Sequence, residues 1–330
     1  MPSSRKRLWL VVKTLLAAAI VVGVGRQFFK ILSKPEFDPY PFRLRVEYLV
    51  PAALLYLGAH TLWGLFWVRL LRSQGVNVSR YVGLRAYFVS QFGKYVPGKA
   101  WVILIRVAML KAVGGRTLPV AVTATYETLT SMAAGAMLGV LLLPWLGVLP
   151  AVVSRNVAFL VAIACLPVGL AVLNKLAVRI ANKKRAPDAP PLPSPGLRLL
   201  ARGLLQAACG WCLLGLSLGL VVAAVAPNPP AWNPQSFLGD LAAVSLSYIV
   251  GFVVLVAPGG IGARELVLTY ALTPRFAGEL GGQVAEGLAV VVALVLRLAW
   301  TAAEVALALG LWARPAAVDP VAQVSRPVNR

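Results

Sequence analysis

Long apolar runs separated by short polar segments set the pattern of this chain. The runs recur near 20 residues, each long enough to cross about 30 Å of hydrocarbon as a helix. The ten-residue alternation of a membrane β-barrel is absent. The pattern predicts spans at residues 8–25, 48–68, 118–143, 156–176, 199–226 and 285–312. Two apolar stretches are interrupted. In the first, an arm over 81–96 meets Pro97-Gly98-Lys99 and continues as an arm over 100–110. The second arm has 11 residues and rises only about 16 Å, too little to cross alone. In the second stretch, 237–257 meets Pro258-Gly259-Gly260 and continues over 261–272, with a loop expected at 273–283. Both read as re-entrant hairpins. Residues 237–257 are long enough to span instead, which would place the C-terminus outside.

The expected fold is therefore all-α and polytopic, with about six full spans and two re-entrant hairpins broken at Pro-Gly. A basic, Pro-rich linker over 179–198 divides a first membrane half, 1–178, from a second, 199–312, and a polar tail follows at 313–330. Each half reads span, span, broken hairpin, span. Three spans per half invert the second relative to the first, so the hairpins approach from opposite faces. Broken helices meeting near the midplane are the inverted-repeat logic of transporters.

Composition agrees with a membrane chain. Of 330 residues, 59% are hydrophobic and 13% charged, with a mean hydropathy of +0.79; soluble domains carry about 25% charged residues. The formal charge of +21 does not signal nucleic acid, because the basic residues sit mainly in short loops and no nucleic-acid-binding motif accompanies them. Their bias places the N-terminus in the cytoplasm and the chain in the cytoplasmic membrane. The run at 8–25 is too long for a signal peptide and reads as an uncleaved span. Cys165, Cys209 and Cys212 lie in apolar segments, with no metal-site or disulfide spacing.

The breakers carry the candidate chemistry. Pro-Gly ahead of a short arm suits a helix start, whose unpaired N–H groups attract anions. Pro97, Gly98, Lys99, Pro258, Gly259, Gly260, Gly262 and Arg264 would together hold a phosphate or carboxylate. Arg264 would grip it bidentately and Lys99 would act as a point charge. Glu265 is expected to pair with Arg297 or Arg106 and keep an empty site neutral. Glu127 and Glu304 sit within spans, where charge is costly and usually functional; a locking salt bridge is the competing reading for each, and Glu127, Glu265, Arg106 and Arg297 count among the substrate-binding candidates. His60, the single histidine, reads as a packing residue. Walker A, G-x-S-x-G and H-E-x-x-H signatures are missing, so no catalytic residue, cofactor or metal is assigned.

Tyr95-Val96-Pro97-Gly98-Lys99-Ala100-Trp101, Glu127, Pro258-Gly259-Gly260-Ile261-Gly262-Ala263-Arg264-Glu265 and Arg297 resemble the lysylphosphatidylglycerol synthase transmembrane-region family, also called flippase-like domain proteins. The resemblance covers nearly the whole chain. In the best-known members this region is fused to an aminoacyl-phospholipid synthase and moves the modified lipid to the outer leaflet. Others are fused to, or encoded beside, glycosyltransferases acting on polyprenyl-phosphate lipids. This chain carries neither domain, so the resemblance implies translocation and not synthesis. The expected ligand is an anionic phospholipid or a polyprenyl-phosphate-linked headgroup. The alternative is a non-transporting membrane partner of a glycosyltransferase or lipid-modifying synthase, docking at the linker.

Overall fold

The computed structural model describes residues 44–96, 100–146, 195–226, 232–254 and 260–314, together with Arg26 and Phe29. The spans expected at 8–25 and 156–176, the linker up to residue 194, both Pro-Gly breakers before Gly260, and the tail from residue 315 lie outside the described residues. Eight α-helices are present among those described: α1 Leu49–Ser73, α2 Arg80–Ser90, α3 Ala100–Lys111, α4 Thr117–Leu142, α5 Leu197–Val225, α6 Pro234–Val253, α7 Ala263–Leu280 and α8 Gly282–Ala313. A 3-10 turn, Gln91–Tyr95, extends α2. Among the described residues four segments are long and apolar enough to cross a membrane: Val46–Ser73, Leu197–Val225, Pro234–Val253 and Val284–Ala313. The chain is a multi-pass membrane protein, all-helical over its described elements. α4 has the length, at 26 residues, but its Glu and Thr residues lower its apolarity.

Helix α1 buries Ala52, Tyr56, His60, Trp63, Trp67 and Leu71, a spacing that puts one stripe of side chains against its neighbours. The stripe meets α5, which runs antiparallel to it. Small residues permit the approach. A Cβ on Gly203 would collide with the Phe66 ring, and one on Gly210 with the Trp63 indole. Polar groups pair across the seam: Ser217 Oγ donates to the Ala52 carbonyl at 2.8 Å and Gln206 Nε2 to the Leu62 carbonyl at 2.6 Å. In apolar surroundings these pairings satisfy groups that water cannot reach.

Two antiparallel helix pairs complete the described core. α2 packs on α3, and beside the pair the end of α1 meets the start of α4, where Arg116 Nη2 donates to the Gln74 carbonyl at 3.2 Å. α2 starts on a Ser79 cap, whose hydroxyl accepts from Val82 N–H. α6 packs on α7; Asp240 pairs with Arg275 near one end of the pair, and Gly251 meets Arg264 near the other. α6 starts with Pro234 behind an Asn233 cap.

The loop expected at 273–283 is a correction. α7 runs to Leu280, and after Gly281 the chain enters α8 at once. Pro274 does not end the helix. Thr273 Oγ1 donates to the Thr269 carbonyl at 2.8 Å, Arg275 is held by Asp240, and Phe276 is 4% exposed. Tertiary anchoring outweighs the local cost of proline, about 3 kcal/mol in an isolated helix. Gly281, with φ +74°, makes the reversal.

Candidate functional site

Buried charge concentrates where the inner ends of the two helix pairs approach α1, α4 and α8. Arg106 on α3 is 2% exposed and Glu127 on α4 is 3% exposed, with Nη1 to Oε2 at 2.8 Å. Arg106 Nε also donates to Ser90 Oγ at 3.1 Å. Its guanidinium lies 4.6 Å from the Trp67 ring centre and 4.4 Å from that of Tyr87. Ser131 and Thr128 hydroxyls donate to the Glu127 carboxylate, each at 3.4 Å. Such a pair is stable because both ions have further partners.

A second group joins the two halves. Lys94, in the turn after α2, forms an ion pair with Glu304 of α8. Tyr56 of α1 donates to the same carboxylate oxygen at 2.6 Å, and Lys94 Nζ lies 3.2 Å from the Tyr56 hydroxyl. Tyr56 stacks on Trp300 with ring centres 4.8 Å apart. His60 Nδ1 is 3.1 Å from the Tyr56 carbonyl, consistent with a packing role.

A third group sits at the start of α7. The Glu265 carboxylate accepts the Gly262 N–H at 2.6 Å, the N3-to-cap half of a capping box. Its other oxygen is 3.1 Å from Arg297 Nη1. Of the two partners expected for Glu265, Arg297 is the one it meets, while Arg106 goes to Glu127. Arg264 stands apart. Its guanidinium lies 3.3 Å from the Tyr248 ring centre. Among the described residues no carboxylate lies within ion-pair distance of it, and its buried Nε has no hydrogen-bond acceptor. Glycines define its place. The Arg264 side chain occupies the space that a Cβ on Gly251 would need, and a Cβ on Gly260 (φ +69°) would lie 2.9 Å from the Gly251 Cα.

These groups surround a cavity of about 250 Å³. Lys94, Arg106 and Arg264 line it with one carboxylate, Glu127; Trp63, Tyr87 and Tyr248 supply aromatic wall. The lining continues between α3 and α4 to Val102, Ile103, Leu129 and Met132 and reaches the exposed Thr125. Among the expected site residues, Arg106, Glu127, Gly260 and Arg264 line the cavity; Gly262, Glu265 and Arg297 form the adjacent cap and do not. Pro97, Gly98, Lys99, Pro258 and Gly259 lie outside the described residues.

Sequence reasoning passed over Lys94, although a cation inside an apolar arm was a signal available to it. It also passed over Tyr56, Tyr87 and Tyr248, which nothing local distinguishes from packing aromatics. Among the described residues no cluster of His, Cys, Asp and Glu has metal-site geometry.

No curated protein matches the chain. The family model described as the lysylphosphatidylglycerol synthase TM region matches residues 10–310, nearly the full sequence and every residue of the cavity. The chain belongs to that family.

Proposed function

We propose that this protein translocates lipid across the cytoplasmic membrane, taking an anionic headgroup, of a phospholipid or a polyprenyl-phosphate lipid, at mid-membrane. The observation that carries the reading is Arg264: a cation facing a cavity beside a helix start, without a carboxylate partner among the described residues. A protein that needed Arg264 only for packing would gain nothing from leaving its charge unmatched in apolar surroundings. Membership of a lipid-related membrane family supports the same class.

In this reading the α2–α3 and α6–α7 pairs are re-entrant hairpins entering from opposite faces, the two halves form an inverted repeat, and the N-terminus is cytoplasmic. The antiparallel packing within each pair supports it, with Arg275 held by Asp240 across the second. Lys99 joins Arg264 as a headgroup ligand. The lining that reaches Thr125 between α3 and α4 gives the acyl chains a route to stay in the bilayer.

The test is headgroup translocation in proteoliposomes. A charge-assisted hydrogen bond contributes about 1.5–3 kcal/mol, so Arg264→Ala and Lys99→Ala should each slow transport roughly tenfold or more. Wild-type rates in both variants would remove these residues from the site.

A further inference from the structure

The charge inside the cavity is not balanced. Among the described lining residues three are cations, Lys94, Arg106 and Arg264, against one carboxylate, Glu127. That carboxylate is already taken: Arg106 holds it at 2.8 Å, and Ser131 and Thr128 donate to it. Glu304 neutralises Lys94 but does not line the cavity. An incoming ammonium group would therefore find no available carboxylate among the described lining residues.

Aromatic faces are the other means of holding an ammonium group, and on two of the lining rings, Tyr248 and Tyr87, they are occupied by the protein's own cations. Arg264 covers Tyr248 at 3.3 Å, and Arg106 covers Tyr87 at 4.4 Å. Trp63 is packed by His60 at 5.0 Å and Trp211 at 5.3 Å, ring centre to ring centre. What remains unmatched is positive: the Arg264 guanidinium, with its buried Nε lacking an acceptor. Size narrows the ligand further. Sites that enclose drug-sized molecules measure roughly 300–1,000 Å³; about 250 Å³ suits a phosphate with a small substituent, its chains remaining outside.

We infer that the cavity selects a small phosphate-bearing headgroup without an ammonium group, and discriminates against the aminoacylated phospholipid that gives the family its name. The inference rests on the lipid-translocation reading and specifies its substrate class. Arg264 is the residue that sets the preference, because its charge is the one a phosphate would neutralise.

The experiment compares phosphatidylglycerol with lysyl-phosphatidylglycerol, which differ by one aminoacyl group, as ligands of the full chain. Both are offered in equal amounts in nanodiscs, and retained lipid is quantified by mass spectrometry after detergent extraction. Wild type should retain phosphatidylglycerol about tenfold over its lysyl derivative. Arg264→Gln should bring the ratio close to one, and Arg264→Lys should keep most of it. Equal or preferred retention of the lysyl lipid by wild type overturns the inference, as does retention of neither, whether or not the variants fold. An unchanged ratio in folded Arg264→Gln overturns the role of Arg264. Transport of dye-labelled phosphatidylglycerol is measured separately in vesicles. Selective retention without transport would refute translocation and leave the selectivity standing; transport of the lysyl lipid with no retention preference would do the reverse.

Discussion

Two arginines of the site are built for different tasks, and substitutions should separate them. Arg106 is enclosed, with Glu127, Ser90 and two aromatic rings around it. Removing Glu127 as Glu127→Ala strands a buried cation, for which losses of about 3–5 kcal/mol are typical. Arg264 has a ring contact but no carboxylate, so Arg264→Ala should cost only about 0.5–1 kcal/mol. Thermal unfolding in detergent checks the contrast; equal losses would mean that Arg264 is as structural as Arg106. At this scale the sequence was half legible. Charges in apolar runs were visible as candidates, and Glu265 with Arg297 was among the pairs named. Lys94 with Glu304 was not, because its members are 210 residues apart and no local rule links them.

Helix packing depends on absent side chains as much as on present ones. Along α1 and α5, Gly203 and Gly210 leave room for Phe66 and Trp63. Gly210→Ala should overpack that seam, at a cost of about 1–3 kcal/mol. Gly278 on α7 has open space where its Cβ would be, so Gly278→Ala should stay within about 0.5 kcal/mol of wild type. Equal unfolding temperatures for the two would show that the seam is not tight. The long helices were readable from hydropathy to within a few residues, since apolar length alone specifies them. The 273–283 segment was not: Thr, Pro and Gly suggested a loop, and its helix depends on Asp240 and on burial of Phe276, both non-local.

Across the whole molecule, the proposed arrangement fixes which ends share a face. Arg85 donates to the Leu311 and Trp312 carbonyls at 2.8 and 3.2 Å, so the start of α2 and the end of α8 lie together. Arg45 N–H donates to the Ala224 carbonyl at 2.9 Å, which places the start of α1 beside the end of α5. In a background without native cysteines, Ala112→Cys should react with a membrane-impermeant maleimide only from the cytoplasmic side. Gly278→Cys should react only from outside. Labelling of both from one side would refute the opposed hairpins. At this scale the order of the segments predicted that the two broken stretches approach one site, while which side chains line the cavity there required coordinates.

The seam between halves has a further consequence. α1 lies along α5, α4 along α6, and Lys94 and Tyr56 reach Glu304 from the other half. These contacts run through the interior of the described core and do not use the 179–198 segment. The protein should therefore tolerate being made as two polypeptides. Residues 1–178 and 199–330, co-expressed with a tag on one, should purify together. Glu304→Ala in the second fragment should weaken that recovery, turning an intramembrane ion pair into a measurable determinant of self-assembly.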